Sequence, residues 1–138
     1  MRLADVINTL KAAALGQPAI KQVVENDVYR LNAEPSVQYG VFGFVQGTHR
    51  SEGADLMRWS FTLFYIDRLT EDRGNEVEVQ STGIAVLQNI TRAVEAALGT
   101  EEQDIEFTPF TERFADECAG QMARVSFVTP GEPCEEIY

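Results

Sequence analysis

Apolar and polar residues alternate from Leu56 to Leu69, and this is the most regular pattern in the sequence. A period of two places successive side chains on opposite faces of a β-strand. One face is polar and carries Arg58, Ser60 and Thr62. The other face is apolar and carries Met57, Trp59, Phe61, Leu63 and Tyr65. We therefore predict a long strand whose apolar face meets a core and whose polar face looks to solvent or to another subunit.

The segment before it, Tyr39 to Arg50, also favours a strand. Glycines within a strand predict bulges or close backbone approaches, and this segment contains Gly40, Gly43 and Gly47. Only the short polar loop Ser51 to Asp55 separates the two strands. We expect them to pair as a long antiparallel β-hairpin.

Two segments have the spacing of three and four residues that marks an amphipathic helix. The first runs from Leu3 to Ala14, before the stop signals Gly16 and Pro18. The second ends at Gly99, and Asn75 and Glu78 have the spacing of a capping box at its start. Gly83 inside this helix costs roughly 1 kcal/mol relative to Ala. It predicts either a close packing contact or a later helix start.

The remaining elements are short. Ile20 to Glu25 and Val28 to Leu31 fit a small hairpin, although a continuing helix fits them too. Ile105 to Phe110 predicts an edge strand, because it contains a proline. Ala123 to Thr129 predicts the last strand, and the residues from Pro130 to Tyr138 form an extended acidic tail.

This order of elements predicts an α+β domain spanning residues 1–129, followed by the tail at 130–138. We expect an antiparallel sheet built around the long β-hairpin. The first helix and the segment Val86 to Leu98 should pack together on one face of that sheet.

Charge narrows the classes of partner. The 138 residues include 11 Lys and Arg against 22 Asp and Glu, a formal net charge of −11, which opposes stable binding to nucleic acid. No apolar run is long enough for a membrane span or continuous enough for a secretory signal, so we expect a soluble chain without membrane contact. The acidity is concentrated late in the chain, where Glu101, Glu102, Asp104 and Glu106 form a run. We expect a solvated acidic patch there rather than a calcium site.

Few residues carry recognisable chemistry. The residues Asp67, Arg68, Arg113 and Asp116 could bind an anion or act in catalysis, but no histidine, lysine or nucleophile accompanies them. We expect structural ion pairs instead. His49, beside Thr48 and Ser51, is interpreted as a loop histidine, because nothing in the sequence indicates an orienting carboxylate.

The two cysteines, Cys118 and Cys134, stand without a neighbouring histidine, so zinc is improbable and two thiols are the default. The aromatic residues of the two long strands are a core stripe by the commoner interpretation, and the wall of a ligand cavity by the alternative. We predict no metal, no cofactor and no catalytic residue.

Three segments together resemble a known class of protein: Phe64 to Leu69, Gln80 to Ile84 and Thr108 to Gly120. They are similar to small proteins in the structural gene clusters of tailed phages and prophages of Bacteroidetes. Those proteins resemble neck and tail-completion proteins, such as tail terminators.

The resemblance implies an α+β subunit without cofactor or catalysis, which forms a hexameric or dodecameric ring in the virion. Its implied neighbours are other neck, portal or tail-tube proteins. Two competing interpretations stay open at this point: a small ligand-binding domain that uses the aromatic sheet face, and a hydrolase that uses Asp67, Asp116 and His49.

Overall fold

The computed structural model describes residues 1–25, 39–53, 55–113 and 117–130. Its two helices, α1 (Leu3–Leu15) and α2 (Glu76–Leu98), lie where the apolar spacing predicts them. Gly99 ends α2 with a left-handed φ of 70°, and its N–H donates to the Glu95 carbonyl.

The capping box predicted at Asn75 is wrong, because the Asn75 side chain makes no cap hydrogen bond. Its Oδ1 instead accepts from the Thr70 N–H at 2.9 Å, and its Nδ2 donates to the Arg68 carbonyl at 3.1 Å. The side chain therefore fixes the loop ahead of α2 rather than the helix end.

Six strands form one mixed sheet, which with the two helices confirms the α+β class. The strands are β1 (Gln22–Glu25), β2 (Val41–Gln46), β3 (Arg50–Glu52), β4 (Leu56–Arg68), β5 (Phe107–Arg113) and β6 (Glu117–Pro130). Their order across the sheet is β1-β2-β4-β6-β5, and β3 also pairs with β4.

The expectation of a sheet that is antiparallel throughout is wrong, because β1 and β2 run parallel with Gln22 beside Val41. Parallel neighbours need a crossover between them, and the apolar pattern of each strand does not reveal such a partner. Of the predicted small hairpin, the first strand is β1, and the second, Val28 to Leu31, lies outside the described residues.

β4 is the central strand. It pairs antiparallel with the whole of β2, from Val41↔Ile66 to Gln46↔Phe61, and then with β3 after a break. Its continuous partner is β6, which pairs with all 13 residues of β4. Strand β4 is thus stabilised mainly by a strand that comes much later in the chain.

β6 begins earlier than predicted. The predicted strand begins at Ala123, whereas β6 begins at Glu117. Residues 118–121 are all buried, so this stretch has no alternation of apolar and polar positions. Strands that are buried on both faces lose the period-two signal.

β5 is one of the two edge strands, with β1 at the other edge, and its proline indicates this place. Pro109 lies opposite Gln121 in the β5–β6 register. The Ser126 N–H and C=O of β6 both hydrogen-bond to the Gln103 side chain, which lies on the side of β6 away from β4. The N–H and C=O groups of even-numbered β6 residues therefore point toward β5. Pro109, opposite an odd-numbered residue, therefore points its nitrogen outward, where no ladder hydrogen bond is lost.

The helices and one sheet face enclose the main core. Odd-numbered residues of β4 and β6 share this core with Val6 and Leu10 of α1 and Leu87 and Ile90 of α2. The aromatic stripe lies inside it, with exposed fractions of 0% for Phe42 and Phe44, 8% for Trp59, 2% for Phe61 and 2% for Tyr65. These rings are buried core residues, as the commoner interpretation of the stripe predicted.

Three glycines make room for Tyr65. A Cβ at Gly40 would lie 2.8 Å from the Tyr65 hydroxyl, and one at Gly83 would lie 3.2 Å from its ring and 2.9 Å from Gln121 Cγ. A Cβ at Gly120 would collide with the Tyr65 carbonyl oxygen. The close approaches predicted at Gly40 and Gly83 are therefore confirmed.

Candidate functional site

The sheet face opposite the helices is divided into an apolar half and a polar half. Val24, Val41, Ile66 and Cys118 form a separate buried apolar cluster on this face. The polar half is formed by Arg58, Ser60, Thr62, Arg124 and Ser126, none of which is buried. The sequence pattern predicted that this polar face meets solvent or another subunit.

A shallow depression crosses the polar half. Its lining includes Gly47, Thr48, Ser60, Thr62, Gln103, Arg124 and Ser126. We call these residues the groove. Phe61 and Val125 add apolar surface beside its hydroxyl and amide groups, and the guanidinium of Arg124 is its charged group. The groove can therefore exchange hydrogen bonds, but its lining contains no nucleophile paired with a base.

One side of the groove is acidic. Glu101, Glu102, Asp104 and Glu106 are all exposed on the segment between α2 and β5, and we call them the acidic rim. Depressions that adjoin the groove are lined by rim residues together with Arg124 and Arg58. The patch expected from the sequence is thus solvated and lies along the β5 side of the sheet.

A buried carboxylate anchors the acidic rim to α2. Glu95 is 2% exposed, and its Oε1 accepts from Arg92 at 2.8 Å. Its Oε2 accepts from the backbone N–H of Gln103 at 2.8 Å and from Gln103 Nε2 at 3.2 Å. Arg92 also donates to the Gln103 carbonyl at 2.9 Å. A buried charge paired in this way holds its partners strongly, because leaving it unpaired is costly.

The Gln103 side chain also extends the sheet. Its Nε2 donates to the Ser126 carbonyl at 2.8 Å, and its Oε1 accepts from the Ser126 N–H at 3.0 Å. The carboxamide thus takes the place of one residue of a neighbouring strand beyond the start of β5. This contact and the Glu95 carboxylate fix the rim at two points.

The rim charges also act on Arg92. The hydrogen bond that Arg92 donates to Glu95 is the largest cause of the raised pKa of the Arg92 guanidinium, and the charges of Glu102 and Asp104 add to it. The rim therefore lies close enough to α2 to influence it electrostatically.

An ion cluster lies at the β3 end of the same sheet face. Glu52 accepts hydrogen bonds from both Arg58 and Arg50, and Arg58 also donates to Ser126 Oγ at 2.7 Å. The hydrogen bond from Arg58, followed by that from Arg50, lowers the pKa of the Glu52 carboxyl to about 2. The cluster joins β3, β4 and β6 across the surface.

Of the four predicted ion-pair residues, the structure describes two side chains, Asp67 and Arg68. Asp67 accepts from the Tyr65 hydroxyl at 3.2 Å and from the Arg68 N–H at 2.8 Å. Burial, with the nearby Asp67 charge as a smaller cause, raises the pKa of the Tyr65 hydroxyl. Asp116 and the side chain of Arg113 lie outside the described residues, so the predicted pairing stays a prediction.

His49 has a structural place. Its Nδ1 accepts from the Ser60 N–H at 3.1 Å, and its Nε2 lies 3.0 Å from Gln46 Oε1. Asp67 is seven positions beyond Ser60 on β4, about 23 Å along the strand. The structure does not bring His49 and Asp67 together as the hydrolase interpretation requires.

Sequence reasoning missed Glu95 and Gln103. A glutamate in an amphipathic helix is ordinarily a solvated residue, and Gln103 stands between acidic residues in a loop. The only available signal was positional, because Glu95 follows Val94 and precedes Leu98 on the buried side of α2.

Of the two cysteines, the structure describes Cys118, which is buried. Cys134 lies outside the described residues, so the structure does not test whether the two are in contact.

Within the described ranges, no three His, Cys, Asp or Glu side chains are grouped so that they could hold a metal ion. Neither of the two helices described combines the length and the apolar composition of a membrane span. No protein-family model matches the chain, and a search of curated proteins found no match.

Proposed function

We propose that this chain is a structural virion subunit of a tailed phage or prophage. In this proposal it assembles with copies of itself into a hexameric or dodecameric ring at the head–tail neck or at the tail end. Its partners are itself and other neck, portal or tail-tube proteins. It holds no cofactor and catalyses no reaction, and DNA passes it without being bound.

The acidic rim is the observation that carries the proposal. Its four carboxylates are exposed on one segment, and Glu95 and Gln103 hold that segment against α2 and β6. A conduit for DNA must not retain it, and a lumen lined by fixed carboxylates repels phosphates. We place the rim toward such a lumen.

The resemblance to neck and tail-completion proteins supports the same proposal. Each of the three segments that carry it contributes one residue to the same packing site: Tyr65, Gly83 and Gly120. Gly83 keeps α2 close to the Tyr65 ring, and Gly120 lets β6 approach the Tyr65 carbonyl oxygen. The shared motif therefore has a packing role, which is what a family defined by shape and assembly requires.

The contact between subunits is proposed to use the polar sheet face. A closed ring needs surfaces that meet a different surface of the next copy. Strand addition at β5 is disfavoured by Pro109, which withholds a donor from the outer edge. The groove, with its uncharged hydroxyl groups and Arg124, is the better candidate for such a contact.

A charge-reversal experiment tests the lumen assignment. Lysines at Glu101, Glu102 and Asp104 should make assembled rings retain double-stranded DNA at low salt, and added salt should release it. A matched control reverses three other exposed carboxylates, those of Asp55, Glu71 and Glu78. Retention by the rim variant alone is the expected result. Equal behaviour of the two variants would show that the rim does not line the lumen.

A further inference from the structure

A bulge interrupts the pairing of β4 with the strands on its β2 side. Gln46 pairs with Phe61 at the end of β2, and Arg50 pairs with Arg58 at the start of β3. The three residues from Gly47 to His49 thus lie opposite two residues of β4, Trp59 and Ser60, which defines a bulge with one extra residue. Within it, the Gly47 N–H donates to the Ser60 carbonyl at 2.8 Å.

The His49 imidazole replaces the missing backbone acceptor in this bulge. The Ser60 N–H donates to its Nδ1, so Nδ1 carries a lone pair and the neutral ring has its proton on Nε2. That Nε2–H donates to Gln46 Oε1 at 3.0 Å. Both ring nitrogens are therefore used, and only the neutral ring with this tautomer satisfies both bonds.

The His49 ring packs against two aromatic side chains of β4. The ring lies 5.4 Å from the Trp59 ring and 5.5 Å from the Phe61 ring, between centroids. The charged residues of β3 and the adjoining part of β4 are Arg50, Glu52 and Arg58, and both arginines pair with Glu52. Across β4, the charged residues of β6 are Arg124, which lines the groove on the opposite face, and Glu117 at the far end of the strand.

Burial lowers the pKa of the His49 imidazole below its usual value of 6.5. This shift agrees with the tautomer that the hydrogen bonds require. In the unfolded chain the imidazole takes up a proton more readily than in the folded protein. Lowering the pH below 6.5 therefore favours states in which the hydrogen bond from the Ser60 N–H to His49 is broken.

We propose that the Gln46–His49–Ser60 bridge is a proton-operated latch, which closes the bulge while His49 is neutral and opens it when a solvent proton binds Nδ1. A protonated Nδ1 faces the Ser60 N–H as donor against donor, so the hydrogen bond is lost. The segment from Gly47 to His49, whose first two residues line the groove, then keeps the Gly47 N–H bond to the Ser60 carbonyl but loses the bond from the Ser60 N–H. The latch thus makes one wall of the groove sensitive to pH.

The test is an NMR titration of the wild-type protein from pH 7.5 downward. We expect ring nitrogen shifts that identify the Nε2–H tautomer, and a His49 pKa below 6.5. The Ser60 amide shift should follow the same midpoint. After correction for intrinsic exchange, protection of the Ser60 amide should fall about tenfold or more across it.

Two variants separate the hydrogen bond from ring packing. His49→Asn keeps an acceptor at the δ position without a titrating group, so Ser60 protection should not change with pH. His49→Phe keeps a ring against Trp59 and Phe61 but removes the acceptor, so the Ser60 amide should exchange fast at every pH.

The wild-type titration alone can overturn the latch, even where a variant does not fold. An imidazole that titrates at or above 6.5, or a Ser60 amide whose shift and protection ignore the His49 midpoint, contradicts it. A loss of protection in wild type and His49→Asn at the same pH would assign the change to another group.

Discussion

Replacing Gln103 with alanine tests whether the acidic rim is held by hydrogen bonds. The substitution removes three of them: Nε2 to Glu95, Nε2 to the Ser126 carbonyl, and the Ser126 N–H to Oε1. Each such bond contributes about 1 kcal/mol net. Because Gln103 and Ser126 are half-buried, water can satisfy part of what is left. We expect the free energy of unfolding to fall by about 2–3 kcal/mol.

Urea denaturation monitored by fluorescence suits this measurement, because Trp59 is the only tryptophan and is buried, at 8% exposure. Gln88→Ala is the matched control: it makes the same side-chain truncation at an exposed position of α2. We expect its effect to stay within about 0.5 kcal/mol.

The variant Gln103→Glu distinguishes hydrogen bonding from shape. It preserves the shape of the side chain but replaces the Nε2 donor with a carboxylate oxygen that faces Glu95 and the Ser126 carbonyl. Repulsion should make it more destabilising than Gln103→Ala at neutral pH. If Gln103→Glu is the milder of the two, or if Gln103→Ala matches the Gln88→Ala control, the anchoring role is refuted.

Two further predictions concern packing and charge. Gly83→Ala should destabilise the protein despite its better helix propensity, because its Cβ would lie 2.9 Å from Gln121 Cγ. Gln121→Ala removes that closest contact and should relieve part of the clash, while Gln121 Cβ at 3.1 Å and the Tyr65 ring at 3.2 Å remain. Additive unfolding energies in the double-mutant cycle would contradict the contact with Cγ. Removing Arg58 should raise the Glu52 pKa, about 2 in the intact cluster, more than removing Arg50 does, as followed by carboxyl NMR titration. Since that pKa is depressed, the cluster stabilises the fold above pH 4.5 and loses its effect as pH falls toward 2; equal shifts in the two variants would refute the order.

Local patterns in the sequence were sufficient for α1, α2 and β4. Each has a clear hydrophobic period that indicates which face is buried. Gly99 also indicates the end of α2, where the structure has it with a φ of 70°. The core position of the aromatic stripe follows from the same alternation. These features depend on neighbours along the chain, and so a single sequence contains them.

Features that depend on distant partners were not accessible in the same way. The parallel pairing of β1 with β2 depends on tertiary contacts rather than on the local pattern of either strand. The start of β6 gives no alternating pattern, because residues 118–121 are all buried. Glu95 resembles any surface glutamate until Gln103 and Arg92 are seen to contact it. The role of His49 likewise depends on a backbone amide from another strand.

The mass of the purified full-length chain in solution, measured by native mass spectrometry over a range of concentrations, tests the central claim most directly. We expect a closed ring of identical subunits, hexameric or dodecameric, with no bound small molecule. A chain that stays monomeric or dimeric at every concentration, or that retains a stoichiometric small ligand, would contradict the proposed structural role.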